Sequence, residues 1–100
     1  MNFKFSAELW LYPGEGAWVF TTLPHAIAKA IKGLTGDMPK KGFGAIKVLA
    51  EVNGIQWHTS IFPDAKTASY LLPVKKDIRK KASLSVGNAY SFTLQLKEVH

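Results

Sequence analysis

The stretch AIKVLAEVNGIQWHTSIF, residues 45–62, decides the fold of this chain. At its centre, Asn53 and Gly54 supply the two residues of positive φ that a type I′ turn requires, and such turns join neighbouring antiparallel strands. The flanking segments, 45–52 and 55–62, are rich in β-branched and aromatic residues, which favour strands. The sequence therefore predicts a β-hairpin here.

Alternation of apolar and polar residues predicts a further strand at the start of the chain. The apolar positions are Phe3, Phe5, Ala7, Leu9 and Leu11. They fall on one face of a strand over 3–11, while Trp10 falls on the opposite face, where we expect it to cover a second cluster or to stay partly exposed. Aromatic, β-branched and alternating residues predict three more strands, at 17–23, 69–73 and 90–99.

Two short helices are predicted between the strands. The first follows Pro24, which suits the first position of a helix because its missing N–H would be unpaired there. Its predicted apolar stripe is Ile27, Ala28, Ile31 and Leu34. Gly33 or Gly36 is suited to end it in a left-handed conformation, and residues 35–44 have the composition of a loop. The second helix is expected from residue 74 to about residue 82.

Length and composition bound the architecture. A chain of 100 residues with 47% apolar and 20% charged residues is expected to form one domain over residues 1–100, mainly β with about six to seven strands and two short α-helices. No segment approaches the roughly 18 to 20 apolar residues that cross a bilayer, and the first residues alternate too early for a signal peptide. We therefore expect a cytoplasmic protein without membrane contact.

The residue types that support metal, thiol or phosphate chemistry are scarce. The chain has no cysteine, which excludes disulfides and thiolates, and its histidines, His25, His58 and His100, are widely scattered. The glycine-containing stretches PGEG (13–16) and KKGFG (40–44) match no phosphate-binding fingerprint. Neither a metal nor another cofactor is expected.

One architectural echo runs through the chain, because a strand, a Leu-Pro pair, a helix and a second strand occur twice. The two pairs are Leu23-Pro24 and Leu72-Pro73. When the prolines are aligned, the apolar residues of the two helices differ in register by two positions. Two interpretations stay open, an internal duplication and two unrelated units of similar order.

The order of landmarks also resembles a known family. These landmarks are FSAELW (5–10), GAWVFTTLP (16–24), GFGAIKV (42–48), EVNGIQWHTSIFP (51–63), YLLPVKKDIRKKASLSVGN (70–88) and FTLQL (92–96). Together they resemble a small bacterial domain family of unknown function, found alone or joined to a bacteriocin-protection (YdeI/OmpD-associated) domain. The resemblance implies a small closed β-barrel of the double-split type and implies hardly any chemistry.

The last third of the chain is similar to a second group. The order strand, Leu-Pro, basic helix, Gly-Asp, strand resembles a unit of AbrB-type swapped-hairpin DNA-binding proteins, which share that barrel as a homodimer. Here Asn88 replaces the Asp after Gly87, and only the second helix is strongly basic. The alternative function that this resemblance implies is weak, non-specific nucleic-acid binding.

Positive charge is concentrated in the second helix. Thirteen Lys and Arg stand against seven Asp and Glu, a net charge of +6, and residues 75–81 contain five of the bases but only one acid, Asp77, for a local net of +4. The apolar positions Val74, Ile78 and Ala82 are expected to face the core. The basic residues expected to project outward or sideways are Lys75, Lys76, Arg79 and Lys80. Two interpretations stay open, a contact with an anion or nucleic acid and a solvated helix face.

Catalysis has little support in the sequence. His58 and Ser60 fall on the same face of the strand over 55–62, but no nucleophile-elbow motif surrounds the serine and no carboxylate is assigned to the histidine. We therefore expect no enzymatic activity.

The aromatic content suggests a ligand pocket at the mouth of the barrel, with Trp10, Trp57 or Tyr70 in its wall and Arg79 or Lys75 as an anion anchor. The candidate ligand- or anion-binding residues are Lys75, Lys76, Arg79, Lys80, Trp57, Ser60, Tyr70 and Trp10. The sequence thus predicts a binding or interaction module, whose partner classes are an anionic small molecule, an acidic protein surface and nucleic acid.

Overall fold

A computed structural model describes residues 2–14, 16–36 and 44–97. The elements in chain order are β1 (Asn2–Leu11), β2 (Val19–Thr22), α1 (His25–Thr35), β3 (Ile46–Val52), β4 (Ile55–Asp64), β5 (Ser69–Pro73), α2 (Lys76–Lys81) and β6 (Ala89–Leu96). The hairpin predicted at Asn53-Gly54 is confirmed, since the two residues have φ values of 50° and 78° and Val52 pairs with Ile55.

The six strands of the described residues close into an antiparallel barrel in the order β1-β2-β5-β4-β3-β6. The predicted mainly β closed barrel with two short helices is therefore confirmed. Helix α1 packs against β5, and α2 packs against β4. Within the described part of the chain, neither helix is long and apolar enough to cross a membrane.

The barrel consists of two halves with the same element order. The first half is β1-β2-α1-β3 and the second is β4-β5-α2-β6. The pairing of β1 with β2 corresponds to that of β4 with β5, and the pairing of β1 with β6 corresponds to that of β4 with β3. The echo in the sequence therefore corresponds to an approximate twofold arrangement of strands.

Backbone hydrogen bonds at the centre of this arrangement explain the shifted register of the two helices. The Leu23 N–H donates to the Tyr70 carbonyl at 3.0 Å, and the Val74 N–H donates to the Val19 carbonyl at 2.9 Å. Leu23 is thus equivalent to Val74, so the helices correspond when these residues are aligned rather than the prolines. The two prolines do not occupy equivalent positions, because Pro24 directly precedes α1 whereas Pro73 is the last residue of β5.

Apolar side chains from all six strands and both helices fill the interior. Fully buried members with the largest volumes include Phe92, Leu9, Leu23, Ile31, Ile61, Leu72 and Leu94. Phe5 stacks on Phe92 across the β1–β6 pair, with 5.8 Å between ring centroids. Val74, Ile78 and Ala82 are buried as predicted, but α2 is shorter than expected, so Val74 precedes it and Ala82 is its C-cap. Burial of one such large side chain contributes roughly 1.5 to 3 kcal/mol.

Three expectations for the first helix were wrong. Pro24 precedes the helix as its N-cap instead of occupying its first turn, and Gly36 has φ −54° and ψ −40°, which is right-handed. Leu34 is 38% exposed, and Thr35 is buried in its place. The helix can bury Thr35 because its hydroxyl donates to the Ile31 carbonyl at 2.8 Å, which satisfies the polar group inside the element.

The observed strands also differ from the predicted ones at their ends. Leu11 was expected to face inward but is 53% exposed, because it lies at the last position of β1, where the chain leaves the barrel. Strand β6 ends at Leu96. Residues 98 and 99 of the predicted last strand, and 37–43 of the predicted loop, lie outside the described residues.

Candidate functional site

An open groove of about 890 Å³ crosses the outside of the barrel over β2, β5 and β4. We call it the aromatic groove. Its described lining consists of Tyr12, Trp18, Phe20, Lys47, His58, Thr59, Ser60, Phe62, Leu71, Pro73 and Lys97. Apart from Thr59, the strand residues of this lining meet because alternate residues of each strand point outward while their neighbours fill the core.

One wall of the groove is aromatic. Trp18 stacks on Phe20 with 6.2 Å between ring centroids and 10° between ring planes, and Tyr12 meets Phe20 edge-on at 5.9 Å. The Tyr12 N–H donates to the Trp18 carbonyl at 2.8 Å, which brings the two sides of the β1–β2 hairpin together. Trp18 is 58% exposed and Tyr12 49% exposed, so this wall offers unusually large apolar surface to solvent.

Trp10 supports this wall from behind. Its indole N–H donates to the Thr22 hydroxyl at 2.9 Å, and its ring lies 5.5 Å from that of Phe20. The side chain is half-buried and does not contribute to the groove lining. Trp10 was expected to cover a second cluster or to stay partly exposed, and it does both, because it packs beside Phe20 and remains half-buried.

The opposite side of the groove is polar and basic. Ser60 on β4 pairs with Lys47 on β3, and the Lys97 backbone N–H donates to the Lys47 carbonyl at 3.0 Å. Phe62 pairs with Leu71 and forms an apolar base between this side and the aromatic wall. Among the described lining residues the charged side chains are Lys47 and Lys97, and both are basic.

A second, smaller depression of about 290 Å³ lies beside the basic helix. We call it the helix pocket. Lys75, Lys76 and Arg79 line it, and it shares Trp18 and Pro73 with the aromatic groove. The Arg79 Nε–H donates to the Val74 carbonyl at 3.0 Å, which fixes the guanidinium against the end of β5. The two depressions are thus adjacent, with Trp18 on their boundary.

A glycine controls the position of Trp18. Gly16 has φ +95°, and a Cβ added there would lie 2.9 Å from the Trp18 Nε1 atom. The absence of a side chain therefore lets the indole pack over the turn.

The predicted site residues divide into those that line the helix pocket, one that lines the aromatic groove, and those that line neither. Lys75, Lys76 and Arg79 line the helix pocket, and Ser60 lines the aromatic groove. Lys80 is exposed on α2 but lines neither depression. The remaining three, Trp10, Trp57 and Tyr70, line neither depression.

Trp57 and Tyr70 lie in the barrel interior rather than in a pocket wall, as they are buried among core side chains. Burial raises the pKa of Tyr70 above its ordinary value of 10.0, while a hydrogen bond with Thr35 opposes the shift. Trp57 is buried because strand alternation on β4 points it inward, while its neighbours Gln56 and His58 point outward.

Sequence reasoning missed the residues that dominate the groove, namely Tyr12, Trp18, Phe20, Lys47 and Lys97. The available signal was strand parity, because Val19 and Thr21 face inward and the aromatic residues on either side of Val19 must face outward. Lys47 and Lys97 have no local signal, since they reach the groove only through the pairing of β3 with β4 and β6.

Within 2–14, 16–36 and 44–97, no group of three His, Asp or Glu side chains is arranged to hold a metal ion. Asp77, the one acid of the basic helix, pairs with Lys81 at 3.3 Å on the exposed side of α2. Asp77 does not line the helix pocket, whose described charged side chains are Lys75, Lys76 and Arg79.

Fold and site together define a small closed-barrel domain with an exposed aromatic groove between basic side chains. The family comparison agrees with this class, because residues 5–94 match a domain of unknown function, DUF1905. The match covers nearly the whole barrel, so the chain belongs to this family. No curated protein matches the sequence.

Proposed function

We propose that the protein is a cytoplasmic, non-enzymatic binding module whose aromatic groove takes an anionic ligand with an apolar or aromatic body. The observation that carries this proposal is the composition of the groove. An exposed wall of Tyr12, Trp18 and Phe20 faces Lys47 and Lys97, and no acidic residue occurs in the described lining.

Each side of the groove matches one part of such a ligand. A flat ring gains apolar contact against Trp18 and Phe20, and an aromatic pair contributes roughly 0.5 to 1.5 kcal/mol beyond the area that it buries. An anion about 4 Å from a lysine near the protein surface gains on the order of 1 to 4 kcal/mol, depending on solvent screening. Neither contribution alone gives firm binding, whereas their combination gives both affinity and orientation.

The test uses anilinonaphthalenesulfonate, a dye that joins fused aromatic rings to one sulfonate. We expect its fluorescence to increase on binding to the folded protein, and Trp18→Ala to weaken binding about tenfold. The matched control is Leu34→Ala, which removes an exposed apolar side chain on α1, outside the groove. Circular dichroism confirms that each variant is folded before the titration.

A charge variant tests the second half of the proposal. Lys47→Gln should weaken dye binding and reduce its dependence on salt, because screening acts on the lysine–sulfonate attraction. Lys29→Gln on the exposed face of α1 is the control. Equal dye affinity in Trp18→Ala, Lys47→Gln and the wild-type protein would overturn the assignment of the groove.

Two finer expectations stay predictions. One is the cytoplasmic location, and the other is the association of related domains with a YdeI/OmpD-associated domain.

A further inference from the structure

The basic side chains near Trp18 lie on two sides of it. Lys75, Lys76 and Arg79 line the helix pocket on one side, and Lys47 and Lys97 line the far side of the aromatic groove. Trp18 belongs to both linings. A ligand that uses the whole surface therefore carries negative charge on either side of a central flat group.

The basic side chains at the two ends of this surface suit a ligand that carries more than one anionic group. Phe20 of the aromatic wall lies on β2 and Lys47 lies on β3, and the sheet order between these two strands runs through β5 and β4. Three strand intervals of roughly 4.8 Å give a path of about 14 Å along the curved surface of the barrel. A chain of phosphates can follow this path and contact both ends, whereas a single small anion contacts one end.

The central surface is suited to stacking. Trp18 is 58% exposed and lies nearly parallel to Phe20, so more than half of its surface is open to a ligand while Phe20 packs beside it. Proteins that bind single strands without sequence preference combine such aromatic platforms with basic side chains along the backbone path. Bases in a duplex are already stacked on one another and do not offer their faces to a side chain.

We infer that the ligand of this surface is single-stranded nucleic acid, with one base stacked on Trp18 and the flanking phosphates directed to Lys47 and Lys97 on one side and to the helix pocket on the other. This inference rests on the proposed function and names its ligand class. Recognition is tolerant of sequence, because every base has a flat face and the phosphate contacts carry no sequence information.

Fluorescence anisotropy of a labelled oligothymidylate of about eight nucleotides tests the inference. We expect binding to weaken with salt, with a slope of log K against log salt of about −3, since each phosphate contact on a single strand contributes roughly −0.7. Trp18→Ala should weaken binding about five- to a hundredfold, and Trp18→Phe should retain most of it, because phenylalanine also stacks. A duplex of the same length should compete poorly.

A matched pair of lysines tests the phosphate path. Lys75→Gln removes a helix-pocket lysine and should reduce the salt slope by about 0.7, whereas Lys80→Gln on the same helix, which lines neither depression, should leave it unchanged. Equal effects of the two changes would overturn the assigned path and leave only general attraction to a basic helix.

Competitors distinguish the remaining ligand classes. Displacement of the strand by thymidine monophosphate or polyglutamate at equal concentration of charge, or equal binding of the duplex, would overturn the inference. If the naphthalene dye binds the groove and the oligonucleotide does not, the inference is wrong while the proposed function stands. If neither binds, both are wrong.

Discussion

Asn53 donates a hydrogen bond from its side-chain amide to the main-chain carbonyl of Ala82 at 2.9 Å. The same residue occupies the first positive-φ position of the β3–β4 turn. One side chain therefore joins the hairpin that decides the fold to the C-terminal end of the basic helix, 29 residues further along the chain.

Substitutions at Asn53 should separate its two roles. Asn53→Gly keeps a residue that tolerates positive φ and loses only the hydrogen bond, so we expect a loss of about 1 kcal/mol in the free energy of unfolding. Asn53→Ala loses the hydrogen bond and also strains the turn, which should add roughly 1 to 2 kcal/mol. Urea unfolding followed by circular dichroism measures both. Equal losses in the two variants would contradict a role for the left-handed turn.

The corrected apolar stripe of α1 gives a second prediction. Ile31→Ala should cost about 2 to 5 kcal/mol of unfolding free energy, because Ile31 is fully buried and its truncation leaves a cavity. Leu34→Ala should cost clearly less than Ile31→Ala, since Leu34 keeps 38% of its surface exposed and its truncation leaves no closed cavity. Thermal unfolding of the two variants under the same conditions is the measurement. The stripe expected from sequence requires a large loss of stability in both variants, whereas the observed stripe requires it only in Ile31→Ala.

The buried phenol of Tyr70 should make stability depend on alkaline pH. Its pKa is raised by burial above 10.0, so above that pH the folded state holds a proton that the unfolded state releases. The stabilisation is complete below pH 10 and is lost as the pH rises through the folded pKa. Tyr70→Phe removes this loss, so the stability advantage of the wild-type protein over the variant should shrink above pH 10.

Tyr90 supplies a control of opposite sign. The Ser85 backbone N–H donates to its phenol oxygen at 2.8 Å, and this hydrogen bond lowers the pKa of Tyr90. Its contribution to stability therefore increases as the pH rises through the folded pKa, and the advantage of the wild-type protein over Tyr90→Phe should grow. Guanidinium unfolding at a series of alkaline pH values measures both pairs, and the same sign for both would refute this explanation.

Two glycines of the first turn allow the position of Trp18 to be tested without changing Trp18. Both Gly16 and Gly14 have positive φ, so alanine at either position strains the turn. Only the added methyl of Gly16→Ala meets the indole, because nothing lies within 4 Å of a Cβ at Gly14. We expect both variants to lose stability, and only Gly16→Ala to weaken dye binding to the groove. Equal dye binding by the two variants would show that the placement of Trp18 does not matter.

Much of the fold followed from local sequence patterns. The hairpin at Asn53-Gly54, the alternation along β1 and the inward positions of α2 were all predicted, because turn conformation and strand or helix periodicity depend on neighbouring residues. The error in α1 occurred where either of two neighbouring residues could be turned toward the barrel. Leu34 and Thr35 are adjacent on α1, and packing against the barrel, rather than hydrophobicity, determined which of them is buried.

The candidate site was less predictable. The basic helix was correctly identified as an outward cluster, and Lys75, Lys76 and Arg79 do line one depression together. Trp57 and Tyr70 were chosen for their aromatic character, but the number of aromatic residues in a sequence does not indicate which of them remain at the surface. Both lie in the interior.

By itself, the sequence determined the mainly β character, the turn that begins the second half of the barrel, and the concentration of charge on α2. These depend on periodicity, turn chemistry and composition, which act over a few residues. Only the tertiary structure decided that the aromatic residues of the first hairpin face Lys47 and Lys97. Closure of the barrel places β2, β5, β4 and β3 side by side, and this proximity depends on long-range strand pairing, for which no short stretch of the chain carries a signal.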